Sequence, residues 1–141
     1  PIGADGGVDR LLAAAFDLTL ASLLVRAEAG ADRLVRATDQ TIWRDPDTGY
    51  LRRQVFLRPD HPLEIVEVTM PPGKSALLPA ASYAFIRQVV WLIEGELIIT
   101  DADGRHVLAA GDCIGFGPPA DVTISNESDA PARYVVALAR S

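Results

Sequence analysis

The sequence predicts a mainly β protein, a single antiparallel β-barrel or sandwich preceded by a short helical segment. Three observations support this fold class. The length of 141 residues suits one domain, and apolar residues make up 49% of the chain, as in a globular protein. After Gly30, short apolar segments recur at intervals of about ten residues, separated by turns rich in Gly, Pro and Asp. We therefore expect residues 1–30 to be helical and residues 31–141 to form the barrel.

The first thirty residues show helical periodicity. From Val8 to Ala29, leucine and other apolar residues recur at intervals of three and four. Asp17 to Thr19 interrupts this pattern, and Thr19 is a favourable N-cap for a second helix. Gly30 is a favourable residue for ending it. The pattern predicts two short helices before the first strand.

Each predicted strand downstream ends at a recognisable turn. Asp45-Pro46-Asp47-Thr48-Gly49 predicts a hairpin, and Glu94-Gly95-Glu96 and Asp101 to Gly104 predict two more tight turns. The predicted strands are Thr41 to Arg44, Tyr50 to Leu57, Leu63 to Met70, Tyr83 to Ile93, Leu97 to Thr100, Arg105 to Leu108, Cys113 to Phe116, Val122 to Ser125 and Arg133 to Ala139. Such a series is typical of an antiparallel sandwich or barrel.

Charge and hydropathy exclude two kinds of partner. The net charge is -6 and the isoelectric point about 4.8, so these residues lack the basic surface that binds nucleic-acid phosphates. No apolar run reaches the roughly 18 residues that a membrane span requires, and residues 1–8 do not resemble a signal peptide. We expect a cytoplasmic protein without membrane contact.

Few side chains belong to the usual catalytic types. Cys113 is the single cysteine, and the apolar run Cys113-Ile114-Gly115-Phe116 predicts a buried, inert thiol. The two histidines, His61 and His106, lie before a predicted strand and beside a predicted hairpin. We expect both to be ordinary surface or rim residues.

Two short motifs lie between Pro71 and Asn126. Gly73 begins the first, and Gly95 ends it within Leu92-Ile93-Glu94-Gly95-Glu96-Leu97. Gly111-Asp112 begins the second and Asn126 ends it. These landmarks resemble those of the cupin family, whose RmlC-like jelly-roll barrel supplies metal ligands from two such motifs. The resemblance implies a cupin barrel in residues 31–141.

Ligand types are missing from the positions that the cupin resemblance assigns to metal ligands. Gln88 stands where the first motif has Glu, and Val122 stands where the second has His. Two registers are open for the first motif's histidine pair, namely Ala81 and Tyr83, or Ser82 and Ala84. Gly117 and Pro119 exchange the family's Pro and Gly. Because a metal site needs about three or four His, Asp, Glu or Cys donors, the resemblance implies a barrel without metal or other cofactor.

A barrel without a metal leaves its interior as the candidate site for one small ligand. Strand alternation puts Gln88 and Val90 on one face, and Arg52 and Gln54 on one face with Arg53 opposite. An inward arginine suits a carboxylate or phosphate. The alternative is a filled core containing a hydrogen-bonded glutamine. The candidate ligand-binding residues are Arg52, Gln54, Tyr83, Gln88, Val90, Val122 and Ile124.

The segment from Asp9 to Leu24, DRLLAAAFDLTLASLL, resembles the closing helices of an XRE-type helix-turn-helix domain. That domain commonly ends Leu-Ala-x-Ala-Leu-x-x-Ser-Leu-x-x-Leu-Leu, and a cupin sensor follows it in many transcription regulators. The resemblance implies a small-molecule-sensing, dimerising domain of a bacterial-type regulator. DNA would then be bound by a domain upstream of Pro1. The alternative is a helical pair that simply packs on the barrel.

Two other functions stay open at the level of sequence. A metal-independent cupin enzyme, such as an isomerase or epimerase, would need a positioned general acid and base, and no inward histidine is predicted. A non-catalytic structural barrel would need no ligand. The preferred prediction is a homodimeric sensor of a small-molecule effector, without catalytic residues.

Overall fold

The computed structural model describes residues 33–83 and 86–140, so the two helices predicted between Val8 and Ala29 lie outside the described residues. The described part contains ten strands and two short 3₁₀ helices. The strands are β1 Ile42–Arg44, β2 Leu51–Phe56, β3 Leu63–Met70, β4 Ser75–Leu78, β5 Ile86–Glu94, β6 Glu96–Asp101, β7 Gly104–Ala109, β8 Cys113–Gly115, β9 Val122–Ser125 and β10 Ala132–Arg140; the 3₁₀ helices are Ala37–Asp39 and Ala80–Tyr83.

The strands form two antiparallel sheets, which confirms the predicted mainly β architecture. The six-stranded sheet has the order β1-β2-β3-β10-β5-β8, and the four-stranded sheet has the order β4-β9-β6-β7. One hydrophobic core unites them, because Val68 and Leu92 of the larger sheet pack in the same buried cluster as Ile99 and Ile124 of the smaller. Within the described residues, no helix has the length and apolarity to cross a membrane.

The predicted hairpin between β1 and β2 is confirmed. The Asp45 and Gly49 backbone amides donate to the carbonyls of Tyr50 and Asp45, both at 2.9 Å. Asp45 is fully buried, and its carboxylate accepts hydrogen bonds at 2.8 Å from both the backbone amide and the hydroxyl of Thr48. Gly49 has a φ of 80°, a conformation that favours glycine. Turn chemistry that is readable in the sequence therefore determines this corner.

Asn126, the last landmark of the second motif, connects two turns. It is 0% exposed, and its amide nitrogen donates to the backbone carbonyls of Met70 and Ala130 at 3.0 and 2.7 Å. Its side-chain oxygen accepts from the Ser128 amide at 3.0 Å and hydroxyl at 2.7 Å. These bonds join the end of β3 to the turn before β10. The asparagine at position 126 therefore has a structural role that requires no ligand.

Three expectations from the sequence were wrong in detail. Ser75–Leu78 forms the edge strand β4, which was not predicted because it lacks β-branched residues and directly follows a Pro-Pro-Gly turn. Tyr83 does not begin a strand, since it ends the 3₁₀ helix Ala80–Tyr83. Cys113 is exposed rather than buried. It lies on the edge strand β8 opposite Trp91, on the outer face, and only the next residue, Ile114, packs against the core.

Candidate ligand site in the barrel interior

Side chains on the inner face of the six-stranded sheet form rows across the strands, as the register shows. Residues paired directly across antiparallel strands point to the same face. Three rows follow from the β2, β3, β10, β5 and β8 pairings: Arg52, Val68, Tyr134 and Leu92; then Gln54, Val66, Val136, Val90 and Ile114; then Glu64, Leu138 and Gln88. Polar side chains therefore lie at the β2 and β3 end of every row.

On β10 and β5, burial of the inner-face side chains falls from the first row to the third, whereas Glu64 on β3 stays buried. Leu92 and Tyr134 in the first row are 0% and 3% exposed. Leu138 and Gln88 in the third row are only half-buried, as is Ile86 beyond them. Side chains of β5 and β10 on the inner face are thus fully buried near the Gly95 hairpin and partly exposed at Leu138 and Gln88.

A buried polar cluster lies on this inner face, formed by Arg52, Gln54 and Glu64. These side chains are 4%, 8% and 1% exposed. Gln54 Nε2 donates to Glu64 Oε2 at 2.8 Å, and the guanidinium of Arg52 lies 3.7 Å from the same oxygen. Arg140, at the end of β10, donates from its guanidinium to Glu64 Oε1. The cluster therefore combines two guanidinium groups with one carboxylate.

Electrostatics distinguish Arg52 from an ordinary surface arginine. Burial lowers the pKa of its guanidinium, whereas the nearby Glu64 carboxylate and Tyr50 act in the opposite direction and raise it. Arginine stays charged at neutral pH even so. Tyr134 shares the row of Arg52, and burial raises the pKa of its phenol, so it stays neutral. The first row consequently contains a nearly dehydrated positive charge at Arg52 and, two strands away, a neutral phenol at Tyr134.

The structure brings together only part of the predicted ligand set. Arg52 and Gln54 lie in the buried cluster, and Gln88 lies half-buried on the same inner face. Tyr83 is buried elsewhere, where its hydroxyl accepts a hydrogen bond at 3.0 Å from the Ala120 amide and also bonds the Ala120 carbonyl. Three further candidates belong to the packed hydrophobic core: Val90, Val122 and Ile124.

Sequence reasoning missed two members of the cluster, Glu64 and Arg140. The signal for Glu64 was available, because Glu64, Val66, Val68 and Met70 alternate on one face of β3 and three of the four are apolar. A carboxylate in register with a buried apolar face needs a partner. Arg140 gave no comparable signal, since it follows the predicted strand Arg133 to Ala139 and an arginine at the end of a strand is ordinarily solvated.

The residues at the cupin ligand positions do not suit a metal ion. Val122 offers no donor atom, the Tyr83 hydroxyl is engaged by Ala120, and Gln88 offers only a neutral amide. Nowhere in residues 33–83 and 86–140 do three His, Cys, Asp or Glu side chains converge as a metal site. These residues therefore do not support metal-dependent chemistry at the cupin ligand positions.

The two histidines lie at the surface and at the rim, as predicted. His106, which is 35% exposed, pairs with the buried Ile99 across β6 and β7, so it faces the inner side of the smaller sheet, and the expectation that no histidine faces inward was wrong. His61 is exposed, accepts the Leu63 amide at 3.1 Å through Nδ1 and meets the edge of Phe56. His106 Nε2 lies 3.0 Å from Asp101 Oδ1 at the hairpin between β6 and β7. The hydrogen bond to His106 is the main reason that the pKa of Asp101 is lowered.

Comparisons with known proteins identify the fold. No protein-family model and no curated protein matches the chain. Among solved structures, a predicted oxalate decarboxylase from Thermotoga maritima is 15% identical, with a TM-score of 0.62, over 77% of this chain and 99% of that one. The cupin domain of an XRE-family transcriptional regulator from Enterobacter cloacae is 15% identical, with a TM-score of 0.60, over 65% and 97%.

A third match is a helix-turn-helix transcriptional regulator from Vibrio cholerae. It is 18% identical, has a TM-score of 0.61, and the match covers 68% of this chain and 54% of that protein. Identities this low show the fold alone, and the matched proteins include both an enzyme and regulators. The described residues therefore form a jelly-roll barrel of the cupin, RmlC-like type, as the sequence predicted.

Proposed function

We propose that this chain is the small-molecule-sensing and dimerisation barrel of a bacterial-type transcription regulator, with DNA bound by a helix-turn-helix domain and not by the barrel. The observation that supports sensing best is the buried Arg52–Gln54–Glu64 cluster on an inner face whose far side chains, Leu138 and Gln88, are only half-buried. A filled structural barrel has no need of a dehydrated guanidinium, which costs free energy unless it is compensated. Glu64 supplies part of that compensation at 3.7 Å without a hydrogen bond, and an effector that binds Arg52 directly supplies the rest.

The regulator assignment is supported by two independent likenesses. The segment from Asp9 to Leu24 resembles the end of an XRE-type domain, and cupin domains of such regulators share the barrel fold. The acidic character of the chain, with a net charge of -6, agrees with DNA contact through another domain. In such an arrangement, effector binding changes DNA affinity only if it favours one arrangement of the paired domains.

A ligand screen tests the sensing function. Thermal unfolding of the purified chain is measured with a library of organic acids, neutral metabolites and amines. An effector at 100 times its Kd stabilises the folded state by about 2.7 kcal/mol, which raises Tm by several degrees. Failure of every compound to bind would contradict the proposal. Chemical conversion of a bound compound, followed by chromatography, would instead identify an isomerase or another enzyme.

The dimerisation part of the proposal rests on the outer face of the six-stranded sheet. Trp91 and Val89 are 48% and 38% exposed on β5, and their register partners on β10 are Val135 and Ala137. Glu67 beside this patch is already paired, with Arg53 at 3.5 Å and Arg133 at 3.0 Å. An apolar patch bordered by the ion-paired Glu67 on one side and by the exposed Arg87 on the other suits an isologous contact with a second copy.

Replacing Trp91 with Glu should convert the dimer to a monomer. The new carboxylate would be desolvated against its symmetry-related copy, and we expect the dimer Kd to rise by at least about 100-fold. Sedimentation velocity measures the change. Val107→Glu, at a residue that is 68% exposed on β7 of the other sheet, is the matched control and should leave the dimer intact. A dimeric Trp91→Glu protein would show that this face is not the interface.

A further inference from the structure

We infer that the Arg52–Gln54–Glu64 cluster binds the carboxylate of a small organic acid that carries a hydroxyl group beside the carboxylate and an apolar body. The inference rests on the proposed sensing function and adds to it the chemical class of the effector. It can fail while sensing stands, because a neutral or cationic effector would also make the barrel a sensor. Charge, hydrogen bonding and the shape of the inner face each support it.

The charges of the cluster are unbalanced by one. Arg52 and Arg140 contribute two positive charges, and Glu64 contributes one negative charge. Glu64 is buried, whereas Arg140 lies at the rim and is 38% exposed. Water can therefore solvate Arg140, but it reaches little of Arg52, which is 4% exposed. The buried pair of Arg52 and Glu64 is neutral by itself, and the excess positive charge arises when Arg140 is counted, so one further anion would balance the cluster as a whole.

The hydrogen bonds within the cluster are also incomplete. Both oxygens of Glu64 are used, one by Gln54 and one by Arg140, and the Arg52 contact at 3.7 Å is too long for a hydrogen bond. Among the described residues, Arg52 has no hydrogen-bond acceptor for its side-chain N–H groups, and the buried Gln54 Oε1 has no donor. A carboxylate supplies the acceptor oxygens for Arg52, and an adjacent hydroxyl supplies the donor for Gln54.

The rest of the inner face suits an apolar body of limited length. From Glu64 the third row continues through Leu138 to Gln88, two strand spacings away, or roughly 10 Å. Val136 and Ile114 border the same region and are half-buried, so they offer apolar surface that a ligand can cover. A molecule with a carboxylate at one end and a short hydrocarbon or phenyl group at the other matches this distance.

Three probes of nearly equal shape separate these contributions: 3-phenyllactate, 3-phenylpropanoate and 3-phenylpropanamide. The first has both carboxylate and hydroxyl, the second lacks the hydroxyl, and the third lacks the charge. Calorimetric and NMR titrations of the whole chain should give affinities in that order. The acid should bind about 10- to 100-fold more tightly than the amide, as expected for hydrogen bonds to a charged group. Side-chain Nε–H resonances of arginine in the wild-type protein should report contact with Arg52.

Variants assign the effect to one arginine. Arg52→Met should abolish the preference for acid over amide, and Arg52→Lys should weaken it because lysine lacks the planar fork. Arg53→Met is the matched control, because Arg53 is the next residue in sequence but lies on the outer face, paired with Glu67. The affinities of this variant for the three probes should equal those of the wild-type protein. If Arg52→Met does not fold, the test rests on the wild-type protein, in which the Arg52 Nε–H resonance should shift when the acid is added.

Several results would overturn the inference. Equal affinity for the acid and the amide, an unperturbed Arg52 resonance, or acid preference that persists in Arg52→Met would each do so. So would a library screen in which only neutral compounds or amines bind, and in that case the sensing function itself would survive. If no compound of any charge binds, both proposals fall together.

Discussion

Glu64→Gln should lower the free energy of unfolding by about 3 kcal/mol, the usual cost of removing one partner from a buried ion pair. The substitution keeps the size of the side chain but leaves Arg52 facing a neutral amide. Glu64 is 1% exposed and serves Arg52, Gln54 and Arg140 at once, so no water replaces the lost charge. Urea unfolding followed by tryptophan fluorescence measures the loss.

Glu67→Gln is the control for this prediction. Glu67 lies on the same strand, also pairs with two arginines, and is 26% exposed on the outer face. Ion pairs at the surface contribute little, so we expect a change below about 1 kcal/mol. Equal losses for the two variants would show that the Glu64 cluster is no more desolvated than the surface network. An increase in stability for Glu64→Gln would contradict the geometry of the cluster altogether.

Gly95→Ala should be comparably destabilising, by about 3 kcal/mol, because strain and a steric clash add together. Gly95 has a φ of 90°, and a Cβ atom placed there would lie 2.6 Å from the carbonyl oxygen of Pro131 and 3.0 Å from the Cα of Ala132. Both neighbours are backbone atoms at the start of β10, so they cannot rotate away. Thermal and urea unfolding should both report the loss.

Gly73→Ala separates the two causes. Gly73 has a φ of 73°, but a Cβ atom added there would have no neighbouring atom within 4 Å, so only the backbone strain of about 1 kcal/mol applies. The difference between the two variants then measures the clash with β10. If both variants lose the same amount, the hairpin at Gly95 moves away from Pro131 at little cost and the close approach is not needed for the fold.

Much of the fold could be predicted because local chemistry determines it. The turn Asp45-Pro46-Asp47-Thr48-Gly49 has its own capping carboxylate and a glycine at the required position, and it forms the hairpin that the sequence predicts. Alternation on β5 correctly puts Val90 and Leu92 inside and Trp91 outside, because successive side chains on a strand face opposite ways. The edge strand β4 was missed, because Ser75–Leu78 lacks β-branched residues and is held by its pairing with β9.

The candidate site was only partly accessible to sequence reasoning. Family position pointed to Gln88 and Tyr83, but the Tyr83 hydroxyl is used by Ala120 and Gln88 is only half-buried. Strand alternation predicted that Arg52 and Gln54 share one face of β2, but it did not predict which side chains they contact. Their partner Glu64 comes from the next strand and Arg140 from the last, so their meeting depends on long-range register.

By itself the sequence determined the β class, the positions of the hairpins and which face of each long strand is apolar, because these depend on residues that are neighbours in the chain. Only the tertiary structure decided that Arg52 and Arg140 share one buried carboxylate, that Cys113 faces outward, and that Gln88 and Leu138 are only half-buried on a face that is otherwise buried. Such features depend on which strands lie side by side and on how much water remains between them. Contacts between distant segments set both, and periodicity along the chain does not encode them.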